Sequence, residues 1–216
     1  MEPGLYFELI RQESEKIGFL IEKDAIEKFE TYLLELIKWN KKVNLTGHRD
    51  ERSIIANLFI DSLAFHKAIK SFSACSVLDI GTGAGFPGLP LNISEPKLSV
   101  TLVEPNLKKV SFLHHIIGTL GLKNVEVLAT RIEDIQKYEY VPRAYQGVIL
   151  KALRLDICLP YVRPLLDENG MIVVSRAKSS GKEVGVRGIT IHERIPYRLP
   201  FGFGERELMI LSPTCT

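Results

Sequence analysis

Ser76-Val77-Leu78-Asp79-Ile80-Gly81-Thr82-Gly83-Ala84-Gly85-Phe86-Pro87-Gly88 decides how the whole chain is read. Val77, Leu78 and Ile80 form a short apolar run that suits a buried parallel strand, covered on both faces. Four glycines then arrive within residues 81–88. Such density directly behind a strand means a sharp turn, or a backbone that something approaches closely. In open α/β sheets ligands bind at the carboxyl ends of the strands, so a nucleotide or nucleoside is the expected visitor. A tight turn without a ligand is the plain alternative.

Two ligand classes compete for this loop. Dinucleotide sites use G-x-G-x-x-G, whose third glycine lets a helix start close to the pyrophosphate. Here that third slot is Phe86; the spacing is G-x-G-x-G, and Asp79 stands two residues ahead of the first glycine. A pyrophosphate would meet like charge at Asp79, whereas a sulfonium nucleoside would not. The run D-I-G-T-G-A-G resembles the S-adenosylmethionine loop of Rossmann-like methyltransferases. Ser99–Glu104 reads as a second strand, and Glu104 falls 25 residues after Asp79. An acid at about this point of a βαβ unit accepts hydrogen bonds from a ribose diol. A solvent-facing acid at a strand end is the other reading.

Composition narrows the class. The chain has 216 residues, 45% hydrophobic and 25% charged, as expected for one globular domain with an appendage. Cys75, Cys158 and Cys215 are odd in number, far apart and form no C-x-x-C, which suits a reducing cytosol and neither a disulfide framework nor zinc. No apolar run approaches the ~20 residues of a membrane span, and the acidic N-terminus lacks a signal-peptide core. The net charge is +2. It is unevenly spread: residues 151–216 hold 10 Lys/Arg against 7 Asp/Glu, which permits a phosphate-binding face without requiring one.

The remaining patterns place this loop in a fold. Residues 1–70 read as a helical cap and residues 71–216 as the ligand-binding domain. Asp24 is the expected cap of a helix carrying Ile26, Phe29, Leu33, Leu36 and Ile37 on one face. Another helix is expected from about Asp50, through Ile55, Leu58, Phe59 and Leu63. Between them, Trp39 to Asp50 is polar and basic: either a helix end or the lip of a site. Downstream, a short helix over 88–93 precedes the second strand. Asn106 and Gly121 bracket another helix, with Val110, Leu113, Ile116, Ile117 and Leu120 inward. Strands follow at 125–129, 146–150 and 171–175, with a turn at 168–170. A helix carrying Ile157, Leu159 and Val162, broken by Pro160 and Pro164, is expected between the last two. Residues 178–188 read as a mobile loop, and 189–195 with 208–211 as a closing strand pair. The predicted fold is α/β: a Rossmann-like, mostly parallel seven-stranded sheet of the class I methyltransferase kind, with an N-terminal helical extension.

The residues exclude several chemistries. Cytosine C5 methylation needs a nucleophilic cysteine, typically after proline, and no Pro-Cys occurs. An exocyclic-amine methylase carries Asn/Asp-Pro-Pro-aromatic after the fourth strand, where this chain has Leu150-Lys151-Ala152-Leu153. No Ser-His-Asp or metal constellation is present. A target atom with its own lone pair, such as guanine N7, needs none of these groups; positioning and exclusion of water suffice.

W-N-K-K-V-N-L-T at 39–46, D-S-L at 61–63, V-L-D-I-G-T-G-A-G-F-P-G-L-P-L at 77–91, K-K-V-S-F-L at 108–113, G-L-K-N-V-E-V at 121–127 and R-I-E at 131–133 together resemble the bacterial 16S ribosomal RNA guanine-N7 methyltransferases, the glucose-inhibited division protein B family. The resemblance implies a cytoplasmic enzyme that uses S-adenosylmethionine to methylate one guanine in the decoding-region loop of 16S rRNA in the small subunit, with no membrane partner and a monomeric state. It implies donor contacts at Gly81, Thr82, Gly83, Gly85, Phe86, Glu104, Ile132, Glu133 and Lys151, with Lys151 also the candidate catalytic group. Lys41, Lys42, Arg49, Arg154, Arg176 and Lys178 are candidates for RNA phosphate contact. The chain departs from the family in three places. The arginine after the fourth strand is Lys151, the histidine three residues before Asp61 is Leu58, and the Leu-Lys-Gly ending the fifth strand is Ser175-Arg176-Ala177. Another RNA, a small molecule, or a non-catalytic RNA-binding assembly role are the competing readings.

Overall fold

Strand β1 (Ser76–Ile80) lies inside the sheet, as its unbroken apolar character requires. It pairs in parallel with β2 (Ser99–Val103) on one side and β4 (Tyr145–Lys151) on the other. Outside these, β3 (Val125–Leu128) flanks β2 and β5 (Leu166–Ala177) flanks β4, again parallel. β7 (Glu205–Pro213) runs antiparallel to β5, and β6 (Ile189–Arg198) antiparallel to β7, giving the order β3-β2-β1-β4-β5-β7-β6. Successive strands are added outward on one side of β1 (β2, β3) and then on the other (β4, β5), so the strand order switches at β1 and the crevice for a ligand opens at its carboxyl end. This computed structural model describes residues 3–138, 144–178 and 188–214. Most of the expected 178–188 loop therefore lies outside the described residues.

The helices cover the sheet unequally. On one face lie α1 (Pro3–Lys16), α2 (Lys23–Val43), α4 (Asp61–Ser71), α5 (Gly88–Ser94) and α6 (Leu107–Leu120). A four-residue helix, α3 (Glu51–Ile54), runs through a π-helical turn, Ile55–Ile60, into α4. All six residues of that turn are buried. Tyr32, Phe59, Phe86 and Phe112 meet here, with Tyr32 and Phe86 stacked at 4.9 Å and 9°. The other face carries α7 (Leu155–Val162) and a 3₁₀ turn, Ile132–Lys137, over a smaller core of Leu78, Ile80, Val148 and Leu150.

Two N-caps follow from residue type: the Asp50 side chain accepts from the Ser53 N–H at the start of α3, and Asn106 caps α6. The Asn106 side chain accepts from the Lys108 and Lys109 N–H groups, and Gly121 closes α6 in the left-handed region. Three expectations are corrected. Asp24 does not cap α2: the cap is Glu22, without a side-chain bond, and Asp24 sits in the first turn, where its charge suits the helix dipole. Pro160 does not break the helix: it lies inside α7, which ends at Val162, and the inner face is Leu155, Cys158 and Val162, the i, i+3, i+7 set that meets the sheet, while Ile157 is 50% exposed. Residues 168–170 do not precede the fifth strand. They bulge within β5, where Tyr145 pairs with Leu166 and Gly147 already with Met171.

Candidate active site

The glycine loop is held by three anchors. The first is Asp79, buried at the end of β1, whose Oδ2 accepts from Thr82 Oγ1 (2.6 Å) and from the Gly88 N–H (2.8 Å). Its Oδ1 is buried with no hydrogen-bond partner among the described residues. Burial pushes this carboxyl up to about 6, against the pull of its two donors. The second anchor is Tyr32 of α2, whose hydroxyl donates to the Ala84 carbonyl at 2.5 Å across the helical layer. The third is Glu104, just past β2. Its Oε2 accepts from the Gly83 N–H and its Oε1 from the Asn106 N–H, both at 2.9 Å. The carboxylate thus bridges the loop and the start of α6. Each oxygen keeps a lone pair that a diol hydroxyl can use.

The loop glycines are obligatory where the backbone turns left-handed and its neighbours press close. Gly85 has φ +98°, and a Cβ there would lie 2.5 Å from Leu89 Cδ1. Gly83 has φ +63° and open space beyond it, apart from the Lys109 ammonium. That open side leaves the Gly83 backbone approachable. Thr82 and Phe86 point away from it: the Thr82 hydroxyl is taken by Asp79, and the Phe86 ring is buried against Tyr32 and Phe59. Their side chains build the loop, leaving only main-chain atoms for a ligand. Ile132 is buried and Glu133 exposed at the start of the 3₁₀ turn after β3. Burial, then the Glu133 charge, raises the Cys158 thiol of α7, against which this turn packs.

A cavity of about 920 Å³ opens next to the loop, at the carboxyl ends of β4 and β5. Its polar lining includes His48, Asn57, Asp61, Lys151, Arg176 and Arg206. Leu153 also lines it and reaches back to Gly81, where an added Cβ would come 2.9 Å from Leu153 Cδ1. Leu153 therefore stands between the glycine loop and the cavity. Lys151 enters the cavity as an ion pair: Nζ is 2.7 Å from Asp61 Oδ2 and donates to the Asn57 carbonyl at 2.6 Å. Burial first, then the Lys151 charge, holds the His48 imidazole below its usual range, so it is neutral at pH 7. The Arg206 guanidinium donates to Asn57 Oδ1 at 3.3 Å, while its buried Nε has no partner among the described residues.

The expected RNA-contact residues divide into two groups. Arg154 and Arg176 line the cavity and Lys178 follows the end of β5; each is already paired with an acid, Asp156, Glu207 and Glu205 respectively. Lys41 and Arg49 share a separate small cleft, and Lys42 is exposed beside them. Arg206, Asn57, Asp61 and Tyr32 were not among the expected site residues. Asp61 alone left a local trace, as an acid in the D-S-L run; the other three matter only through the surfaces that folding brings to them.

The family model described as rRNA small subunit methyltransferase G matches residues 25–208. Among relatives named ribosomal RNA small subunit methyltransferase G, that of Pelotomaculum thermopropionicum is 32% identical over 212 residues, covering 94% of this chain and 89% of its own. That of Clostridium beijerinckii is 37% identical over 163 residues, covering 73% and 68%. Among solved structures, MtNAS in complex with MTA and tNA superposes with a TM-score of 0.59 at 14% identity, over 97% of this chain and 76% of that one. TrmN from Thermus thermophilus gives 0.57 at 13%, over 70% and 48%. At such identities the structural matches speak for the shared fold alone.

Proposed function

Because this chain belongs to the rRNA small subunit methyltransferase G family, we propose that it transfers a methyl group from S-adenosylmethionine to N7 of one guanine in 16S rRNA. The observation that carries the reading is Glu104. Its carboxylate is buried, bonded to the N–H groups of Gly83 and Asn106, and turned to the loop rather than to bulk water. A nucleoside fits such a cradle: the open side of Gly83 admits a close approach, and the carboxylate can accept from a ribose diol. The buried Asp79 beneath the loop disfavours an anionic pyrophosphate there and tolerates a sulfonium. Ile132 and Glu133 would flank the base of that nucleoside.

S-Adenosylmethionine supplies an electrophilic methyl group. The chain's own residues must present the nucleophile to it. Guanine N7 carries a lone pair and needs no proton removed, so no general base is called for. The cavity beside Leu153 would take the base. Lys151 and Arg206 line it with donors that can pair with guanine acceptors, while Asp61 keeps the ammonium from standing as an isolated buried charge. Arg154, Arg176, Lys178, Lys41, Lys42 and Arg49 would meet phosphates around the target.

The test uses small ribosomal subunits, and separately naked 16S rRNA, from a strain lacking this gene, with donor labelled in its methyl group. One labelled guanine, assigned to N7 by mass mapping, is the expected result. In the same preparation Glu104→Ala should weaken binding of S-adenosylhomocysteine at least tenfold by calorimetry. No incorporation into either substrate by protein that binds this product, or incorporation at another base, overturns the reading.

A further inference from the structure

We infer that Tyr197, on the antiparallel edge of the sheet, is a positioning residue for methyl transfer: its hydroxyl orients Asp61, and Asp61 aims the Lys151 ammonium into the cavity. The inference rests on the proposed role of that cavity and deepens it.

The contacts form an unbroken chain between distant segments. The Tyr197 hydroxyl donates to Asp61 Oδ1 at 2.6 Å, across 136 residues of sequence. Asp61 Oδ2 is 2.7 Å from Lys151 Nζ, which in turn donates to the Asn57 carbonyl at 2.6 Å. Ser175 Oγ lies 3.0 Å from the Tyr197 oxygen. Burial first, then the Asp61 charge, pushes the Tyr197 hydroxyl far above its ordinary range, so it stays a donor at every working pH. Its single proton goes to Asp61, which leaves Ser175 to donate to the Tyr197 oxygen. Every direction in the chain is thereby set.

That order decides where the third lysine proton points. An ammonium has three donors at tetrahedral angles. Two are engaged, by Asp61 and the Asn57 carbonyl, and Lys151 lines the cavity. The remaining N–H is the one available to a ligand there. A lysine alone would not hold it: the charge sits on four flexible carbons and rotates freely, whereas an arginine carries its own rigid fork. With lysine in place, orientation has to come from outside the side chain, and the Tyr197–Asp61 bond supplies it. Asp61 is buried, with both oxygens bonded, so the carboxylate cannot turn without giving up one partner.

Removing one oxygen atom tests this. Tyr197→Phe keeps the ring and loses the hydroxyl. We expect kcat for labelled methyl transfer to small subunits to fall about tenfold, with KM for donor and for subunits within twofold of wild type. We also expect the Lys151 ε-ammonium signal, assigned with Lys151→Arg and followed by proton–nitrogen correlation in ¹⁵N-labelled protein, to shift or broaden beyond detection. A wild-type kcat overturns the inference. So does a lowered kcat with an unchanged Lys151 signal, which would place the hydroxyl's role elsewhere, and so does a raised KM with kcat retained, which would make it a binding contact. Should Tyr197→Phe melt before assay temperature, Asp61→Asn, which keeps the shape and loses the charge, is put through the same measurements, and the same results support or overturn the inference. Failure of wild-type protein to methylate the subunits is a different outcome: it removes the parent reading of the cavity and this inference with it.

Discussion

Gly85 has no room for a methyl group. A Cβ there would lie 2.5 Å from Leu89 Cδ1 and 2.6 Å from the Tyr32 hydroxyl oxygen, on a backbone with φ +98°. Gly121 also has positive φ, +62°, but nothing within 4 Å of its would-be Cβ. Gly85→Ala is therefore expected to cost about 3 kcal/mol through clash and strain together, and Gly121→Ala about 1 kcal/mol through strain alone. Urea denaturation of the two variants separates these cases. His66 gives a pH-dependent prediction. Burial, then the neighbouring Lys70 charge, pushes its imidazole down to about 4, and it packs edge-on to Phe19 at 4.5 Å. The folded state binds this proton more weakly than the unfolded state does. Its stability contribution is thus complete above about 6.5 and is lost as pH falls toward 4. Asp79 has the opposite sign: its folded value near 6 exceeds the ordinary 3.8, so its contribution is complete below 3.8 and is lost as pH rises through 6. The neutral variant His66→Gln removes only the first slope. Its urea midpoint relative to wild type should improve when pH drops from 7 to 5; an unchanged difference would show that the imidazole does not titrate as its burial demands.

At the scale of elements, α2 does more than cover the sheet. Its stripe of Ile26, Phe29, Leu33 and Leu36 was readable from helical spacing, and all four are buried. Tyr32, on the same helix, was not readable as a loop anchor, since nothing local indicates that its hydroxyl meets the Ala84 carbonyl. Burial raises the Tyr32 hydroxyl well above its usual range, so it serves as a fixed donor. Tyr32→Phe leaves a buried carbonyl unpaired and is expected to cost about 1–3 kcal/mol. The loosened loop should also bind S-adenosylhomocysteine several-fold more weakly by calorimetry, although Tyr32 would not touch it. Equal affinity would mean that Asp79 and Glu104 hold the loop unaided. The π-helical turn at Ile55–Ile60 is illegible in the sequence for a related reason: the spacing of Ile55, Leu58, Phe59 and Leu63 indicates a helix, but with all six residues of the turn buried it does not distinguish π from α winding.

Across the whole molecule, the larger core is continuous. It joins Tyr6 and Ile10 of the first helix, Phe59 and Leu63 near the middle, Leu102 of the sheet, and Ile195 and Ile210 of the closing hairpin. Residues 1–70 thus bury apolar surface that the sheet would otherwise expose. Expressed alone, residues 71–216 should lack a cooperative thermal transition by circular dichroism and should aggregate on gel filtration. A sharp transition would instead make the helical segment an independent appendage. Among the described residues, no helix is long and apolar enough to cross a membrane.

The sequence by itself determined the strand-and-glycine crevice, the acid at the end of the second strand, the α/β class and the family resemblance. These are local matters: each depends on residue type at short spacing, where backbone sterics and periodicity act within a few positions. The tertiary structure alone decided the cavity and its wiring. Tyr197, Asp61, Lys151 and Arg206 come from separate elements, and burial is what turns their contacts into fixed directions. Spacing along a chain carries no record of which distant donor will face which acceptor; that is settled when the antiparallel edge closes against the helical layer and water leaves the space between them.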